Sequence, residues 1–173
     1  MSKGRSQFVG AAGQYYLAYS LAVRHINAGL TLGNAPGVDL LAAFSYGGNS
    51  ISFQVKTSSN AYKAKIYGHE GYEWFVGVNA IDNYHQSFWY AFIDLQETNG
   101  KWSPMVFFVP SRWVAEFVKP EWAMKMYFLP KSVSNLTCER WDLVEQYLAG
   151  EQSAIDWAND WPKDMLVQWG ADS

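Results

Sequence analysis

The amino-acid sequence predicts a single α/β domain spanning residues 1–173. Three observations predict this class. Residues 7–28 place apolar side chains at helical spacing, and residues 38–55 alternate apolar and polar side chains as a β-hairpin does. The later sequence combines strand-like apolar runs with amphipathic helices. A chain of 173 residues is long enough to bury a sizeable core within one domain.

The first helix is predicted over residues 7–28. Apolar residues recur every three to four positions at Phe8, Ala12, Tyr15/Tyr16, Tyr19, Ala22/Val23 and Ile26. Ser6 is the expected N-cap, and Gly29 is placed where a helix ends. Gly10 and Gly13 each weaken the helix by up to ~1 kcal/mol. Both are small enough to let another part of the backbone approach closely.

A short strand is predicted over residues 30–33, followed by the hairpin. The alternating apolar residues are Val38, Leu40, Ala42 and Phe44, then Ile51, Phe53 and Val55 on the return strand. The stretch "YGGN" fits a two-residue turn with Gly47 and Gly48 at its centre. Opposed residue numbers would then sum to 95, so Asp39 would face Lys56, and Leu41 would face Gln54. Asp39, Gln54 and Lys56 are therefore expected on one face of the hairpin.

The rest of the chain continues the α/β pattern. Residues 60–86 are polar and rich in glycine, which predicts a long loop with one short element at most. Strands are predicted over 87–95 and 104–110, followed by a short helix over 111–118 that Ser111 caps. Two further helices are predicted over 138–148 and 153–161. Helical spacing predicts core positions for Trp141, Leu143, Val144 and Tyr147, whereas Trp157, Trp161 and Trp169 receive no assignment.

Composition excludes several classes of protein. With 49% hydrophobic and 17% charged residues, the chain is not an intrinsically disordered protein. No apolar run approaches the ~20 residues that a membrane span needs, and the first ten residues lack the apolar core of a signal peptide. A single cysteine, Cys138, rules out an intrachain disulfide. A cytoplasmic location is the expectation.

The charge distribution is uneven. The net charge of −3 argues against a general nucleic-acid binder. Residues 1–70, however, hold six basic and two acidic residues, and residues 71–173 hold seven basic and fourteen acidic residues. A basic N-terminal part permits a local site for an anionic polymer. An ordinary solvated surface explains the same pattern and stays open at this point.

Two stretches carry a resemblance to a known family. The sequences "VGAAGQYYLAYSLAVRHINAGLTLGNAPGVDLLAAF" and "ISFQVKTSS" resemble the PD-(D/E)xK nuclease superfamily. Asp39 matches its metal-binding aspartate, Gln54 and Lys56 match its (E/D/Q)-x-K signature, and Gln14 matches an acidic position of its first helix. A Q-x-K signature occurs in the Mrr-like branch. The later stretches "FWYAFIDL", "VFFVPSRWV" and "RWDLVEQYL" are similar to uncharacterised bacterial and phage proteins bearing this domain.

The resemblance implies a fold and an activity. The implied fold is restriction-endonuclease-like, with an α-β-β-β-α-β core, a mixed central sheet and extra C-terminal helices. The implied activity is metal-dependent hydrolysis of DNA phosphodiester bonds, with Mg²⁺ or Mn²⁺ held by Asp39 and Gln54. Lys56 would orient or deprotonate the attacking water, or stabilise the developing charge. The expected catalytic set is Asp39, Gln54, Lys56 and Gln14, and the expected DNA contacts are Lys63, Lys65, Ser58 and Asn34. A homodimer is left open.

Several alternatives stay open. Gln14 and Gln54 are amides where carboxylates are expected, so the same fold could bind nucleic acid or protein without cleaving. Glu70 and Glu73 are candidate substitutes for the missing carboxylates, whereas "HEGYE" is not the HExxH zinc motif and His69 is expected to be a loop histidine. Asp39 and Lys56 could instead form a surface ion pair worth ~0–1 kcal/mol. A third class is an aromatic-lined protein that binds a non-nucleic ligand.

Overall fold

The computed structural model describes residues 3–31, 37–66, 68–82, 84–118 and 126–160. The helices are α1 (Lys3–Ala22), α2 (Ser111–Phe117), α3 (Trp141–Ala149) and α4 (Gln152–Asn159). The strands are β1 (Asn27–Leu30), β2 (Leu40–Ala43), β3 (Ser50–Ser58), β4 (Tyr62–Ile66), β5 (His69–Phe75), β6 (Phe88–Asp94), β7 (Glu97–Thr98), β8 (Lys101–Trp102), β9 (Met105–Pro110) and β10 (Met126–Pro130). Short 3-10 turns cover Val78–Ala80 and Lys131–Leu136.

The central sheet has five strands in the order β1-β2-β3-β6-β9. Strands β3 and β6 run parallel, and the other neighbours run antiparallel, so the sheet is mixed. With α1 before the sheet and α3 and α4 after it, the predicted α/β class is confirmed. The connection from β3 to the parallel β6 contains β4, β5 and a 3-10 turn, where the implied core has an α-helix.

Each face of the central sheet buries an apolar core. One core lies towards α1, α3 and α4 and includes Leu17, Phe53, Trp89 and Tyr147. In the other core, residues of β5, β10 and α2 pack on the opposite face of β6 and β9. They are Tyr72, Trp74, Trp113, Val114 and Tyr127, which surround Phe92 of β6 and Phe107 of β9. All seven residues of β6 are buried, which explains its continuous apolar sequence.

A second sheet of three strands, in the order β10-β5-β4, corrects the prediction of a loop over residues 60–86. Gly71 is needed where β5 meets β10. A side-chain Cβ at Gly71 would lie 2.4 Å from the carbonyl oxygen of Leu129. Gly71 is one of the glycines that favour a loop in the sequence, but in the structure it is required for the close packing of β5 against β10.

Helix α1 differs from its prediction at both ends. It begins at Lys3 and ends at Ala22, so Ser6 lies inside the helix and is not its N-cap. The chain then turns through His25, which has a φ of 61°, and residues 27–30 form β1. This strand replaces the last turn of the predicted helix and begins earlier than the strand predicted over 30–33.

The hairpin register also differs from its prediction. Leu40 pairs with Phe53 and Leu41 pairs with Ser52, so opposed residue numbers sum to 93. The predicted pairs Asp39–Lys56 and Leu41–Gln54 are therefore wrong. The connection after β2 is longer than two residues because it contacts α3. The Asn49 N–H donates to the Leu148 carbonyl, and a Cβ at Gly48 would lie 2.3 Å from the same oxygen.

The C-terminal helices follow the predicted order with shifted ends. Ser111 is the first residue of α2 and does not cap it; its hydroxyl donates to the His85 carbonyl oxygen. The predicted core residues of α3, Trp141, Leu143, Val144 and Tyr147, are all buried. Trp157 packs against Trp89 and Trp113, while Trp161 and Trp169 lie outside the described residues. Within the described ranges, no helix is long and apolar enough to span a membrane.

Candidate active site

Asp39 directly precedes β2. It is hydrogen-bonded to Phe53 and Val55, the two residues of β3 that flank Gln54. Its backbone N–H donates to the carbonyl oxygen of Phe53 at 2.8 Å. Its carboxylate oxygen Oδ2 accepts a hydrogen bond from the backbone N–H of Val55, also at 2.8 Å. A charged acceptor on a backbone N–H makes a strong hydrogen bond, so the direction of this side chain is well defined.

Gln14 reaches the same carboxylate from helix α1. Its Nε2 donates to Oδ1 of Asp39 at 3.0 Å. This approach depends on the preceding residue, because a Cβ at Gly13 would lie 1.9 Å from Oγ1 of Thr57 on β3. The predicted close approach is thus confirmed at Gly13, whereas a Cβ at Gly10 would meet nothing within 4 Å.

Lys56 extends from β3 on the face opposite Phe53 and Val55. The two apolar residues are buried in the core towards α1, while Gln54 and Lys56 are half-buried on the other face. Burial lowers the pKa of Lys56 below its ordinary value, and the negative charge of Asp39 offsets part of this shift. The lysine is therefore close enough to Asp39 for their charges to interact.

Gln54 and Lys56 line a cleft of about 760 Å³. The other walls come from Gly37, from Tyr90 on β6 and from residues 75–82. Burial raises the pKa of Tyr90 to about 12, so its hydroxyl stays protonated at neutral pH. A volume of this size is typical of small-molecule and cofactor pockets.

The wall formed by residues 75–82 was missed by the sequence prediction. Phe75 and Val78 are 58% and 67% exposed there, and Asn79 and Asp82 add polar groups. The sequence signal for this wall is the run of apolar residues in "EWFVGV", whereas the glycines at 71 and 77 favour a loop.

The described residues that were predicted to contact DNA do not line this cleft. Lys63 donates to the carbonyl oxygen of Asn60 at 2.8 Å, and the Ser58 hydroxyl accepts from the Asn60 N–H at 3.1 Å. Lys65 is exposed on β4. Asn34 lies outside the described residues. The structure thus brings Gln14, Asp39, Gln54 and Lys56 to one region and leaves the other three described residues apart from the cleft.

Glu70 does not supply a missing carboxylate. It pairs with Lys131 at 2.6 Å, accepts a hydrogen bond from the Tyr62 hydroxyl and lines a separate cleft with His69. His69 is the first residue of β5, not a loop residue. Glu73 lies in the middle of β5 and does not line the cleft of Lys56.

Few groups besides Asp39 offer metal-binding chemistry here. Among the described residues, no three His, Cys, Asp or Glu side chains are grouped so that they could hold a metal ion. Among the predicted site residues, the hard oxygen donors are the Asp39 carboxylate and the amide groups of Gln14 and Gln54. Asp82 and Asn79 add a carboxylate and an amide to the wall of the cleft. Each carboxylate oxygen of Asp39 accepts one of these two hydrogen bonds and keeps a second lone pair. This donor set fits a weakly held hard cation such as Mg²⁺.

Cys138 is not a candidate nucleophile. Burial, with a smaller contribution from Glu139, raises the pKa of its thiol to about 11. The thiol therefore stays protonated at neutral pH, and the thiolate is the reactive form.

Comparison with known proteins gives a match in structure and none in sequence. No protein-family model matches the chain, and no curated protein matches it. A solved structure, described as the bacterial homing endonuclease I-Ssp6803I, is similar with a TM-score of 0.53. The match covers 85% of this chain and 96% of that chain at 14% sequence identity. At this identity the likeness shows the fold alone: the chain shares the overall fold of that solved structure.

Proposed function

We propose that this protein is a metal-dependent nuclease that hydrolyses DNA phosphodiester bonds at Asp39 and Lys56. The observation that carries the proposal is the fixed carboxylate of Asp39 beside a half-buried lysine of lowered pKa. Lys56 lines a cleft, and the fold is one that also occurs in a homing endonuclease. Perturbed pKa values in clefts are common at catalytic sites.

In this proposal, Asp39 and the amide oxygen of Gln54 hold Mg²⁺ or Mn²⁺. Such an ion, when bound, supplies Lewis-acid stabilisation and a water of lowered pKa. With one carboxylate, the chain alone binds the ion weakly, so a substrate phosphate is expected to complete the oxygen shell.

Lys56 can serve the reaction in two ways, as a proton acceptor for the attacking water or as a positive charge near the phosphate. Because burial lowers its pKa, its neutral amine is populated at a lower pH than in an ordinary lysine. The neutral amine can accept a proton from the attacking water. The protonated form instead stabilises negative charge that develops on the phosphate oxygens.

Gln14 acts as a positioning residue. Its Nε2 holds Oδ1 of Asp39, and the Val55 N–H holds Oδ2, so the carboxylate keeps one orientation. Lys63, Lys65, Ser58 and Asn34 remain proposed contacts to the DNA backbone.

The hydrogen bond from Gln14 to Asp39 favours a second candidate function. In this alternative the protein is a nucleic-acid-binding or protein-interaction module that does not cleave. The Gln14 amide already donates to Asp39 at 3.0 Å. A neutral donor therefore satisfies the carboxylate without a cation, which is what a fold that has lost its catalytic metal needs.

The test is a cleavage assay on plasmid and linear DNA with Mg²⁺, Mn²⁺ or EDTA, run beside a DNA-binding assay. Wild type is expected to cleave only with the metal ions. Lys56→Ala is expected to lose at least ~100-fold in cleavage rate while binding DNA. Lys101→Ala removes an exposed lysine on β8 and should cleave as wild type does.

Each outcome selects one function. Cleavage by Lys56→Ala at the wild-type rate would refute the catalytic role of this lysine. Salt-dependent DNA binding without cleavage would favour the non-cleaving module. Neither binding nor cleavage would leave the aromatic-lined binder of a non-nucleic ligand.

A further inference from the structure

Helix α1 has a second apolar face that the fold leaves exposed. Its inner face packs Val9, Tyr16, Leu17 and Leu21 into the core. On its outer face, Phe8, Tyr15 and Tyr19 are 78%, 66% and 67% exposed, and Ala12 lies between them; Val23, in the turn directly after the helix, is 54% exposed. We call these five outer residues the α1 stripe. The stripe coincides with the apolar spacing that predicted the helix.

The stripe carries no charge. Residues 6–23 contain no Lys, Arg, Asp or Glu. Arg24, which follows, is directed elsewhere: it donates to the Ser20 carbonyl oxygen and stacks over Trp141 of α3. A surface that binds a nucleic-acid backbone needs basic side chains, so this face does not suit DNA.

The spacing of the stripe suits another helix of the same kind. Its positions 8, 12, 15, 19 and 23 are separated by four, three, four and four residues. Steps of three and four residues are those of the apolar seam by which two helices pack side by side. A two-fold axis needs one self-complementary patch, and an uncharged stripe with a small alanine between aromatic rings meets that need.

The exposed area also fits a pair of copies. A fully buried aromatic side chain covers roughly 150–250 Å², so the three exposed rings offer roughly 300–500 Å² on each copy. Two copies would bury roughly 600–1,000 Å² from the rings alone. Ala12 and Val23 add to this, and the sum reaches the lower end of specific interfaces, at about 1,000–1,200 Å².

We propose that two copies of this chain form a homodimer by packing their α1 stripes together. None of the stripe residues lines the cleft of Lys56, so the dimer does not depend on the proposed nuclease activity. A contact of this size predicts reversible association with a dissociation constant in the micromolar range.

The test is sedimentation velocity of the full chain over a roughly hundredfold range of concentration, without DNA or metal. Wild type is expected to shift from monomer to dimer. Tyr19→Glu places two like charges in the seam and should raise the dissociation constant by about 30-fold or more. Tyr84→Glu, which changes a tyrosine that is 58% exposed outside α1, should associate as wild type does.

Circular dichroism and cooperative unfolding check that each variant folds. If Tyr19→Glu does not fold, Tyr15→Glu gives the same test one helical turn away. A wild type that stays monomeric throughout would overturn the proposal, and so would a Tyr19→Glu variant that dimerises like wild type. A monomeric wild type whose DNA binding is lost in Tyr19→Glu would overturn it too and would assign the stripe to nucleic acid.

Discussion

At the scale of single residues, Lys56 is under two opposing influences. Burial between β3, β6 and the cleft wall disfavours its charged form, and Asp39 favours it. The net direction is a lowered pKa, so the charged lysine costs the fold free energy near neutral pH. Such a cost is common where a residue serves chemistry rather than stability.

Replacing this lysine by an uncharged side chain of similar length should therefore stabilise the protein. We expect Lys56→Met to raise the free energy of unfolding at pH 7 by about 0.5–2 kcal/mol in urea titrations. The unfolded lysine binds a proton more tightly than the folded one, so wild type gains stability as pH rises through the folded pKa towards 10.5. The advantage of Lys56→Met should shrink over that range.

Lys65→Met is the matched control, because Lys65 is exposed on β4 and should change stability by less than about 0.5 kcal/mol. A Lys56→Met variant less stable than wild type at pH 7 would show that the lysine is held as a stabilising ion pair with Asp39.

Substitution of Gln14 tests whether this site binds a divalent metal ion. Gln14→Glu places a second carboxylate near Oδ1 of Asp39, where the amide nitrogen now lies at 3.0 Å. Two carboxylates this close repel each other unless a cation lies between them. We expect Mn²⁺ affinity, measured by calorimetry with a short duplex present, to rise by roughly tenfold over wild type.

Asp39→Ala should bind the ion most weakly in the same series. The Gln14→Glu variant should also be less stable than wild type without metal and regain stability with Mn²⁺, which is a readout independent of cleavage. Failure of all three proteins to bind Mn²⁺ would contradict the metal site and favour the non-cleaving module.

At the scale of elements, the site depends on how closely α1 approaches β3. Gly13 lies against the side chain of Thr57, and the hydroxyl of Thr57 is buried without a hydrogen-bond partner in the described part of the chain. The contact between these two residues sets the position of Gln14, the next residue in the helix.

Gly13→Ala should therefore destabilise the protein although alanine favours helices. We expect a loss of about 1–3 kcal/mol in the free energy of unfolding, because the added methyl group overlaps Thr57. Gly10→Ala, which meets nothing within 4 Å, should gain up to ~1 kcal/mol from helix propensity.

Addition of Thr57→Ala to Gly13→Ala should restore part of the loss in a double-mutant cycle, because it removes Oγ1 but keeps the Cβ of residue 57, which would lie 2.9 Å from the added methyl group. Equal effects of Gly13→Ala and Gly10→Ala would contradict the close approach of helix and strand.

The hairpin shows what the sequence could and could not predict at this scale. Alternation predicted that Gln54 and Lys56 share one face of β3, and they do, because that period is local. The register was wrong by two because the connection after β2 is shaped by Leu148 of α3, about a hundred residues later in the chain. A shift of two keeps every side chain on its face, so the predicted face is kept although the predicted pairs are wrong.

At the scale of the whole molecule, the sequence analysis does not predict the second sheet, which consists of β10, β5 and β4. Gly68, between β4 and β5, and Gly71, within β5, are typical of loops, yet Gly71 is needed for contact with β10, which comes more than fifty residues later. Because that contact is non-local, the sequence between β3 and β6 did not show it. The same sheet leads into residues 75–82, which form one wall of the cleft that Lys56 also lines.

The central claim is that Asp39 and Lys56 cleave DNA with a divalent metal ion. The most direct measurement is the single-turnover rate of cleavage of an end-labelled DNA duplex with Mn²⁺, for wild type and Asp39→Asn. Asparagine keeps the size of the side chain and an acceptor for the Val55 N–H, but it removes the charge. The account predicts cleavage by wild type and a rate at least ~100-fold lower for Asp39→Asn. Equal rates for the two proteins, or a wild type that gives no product, would contradict it.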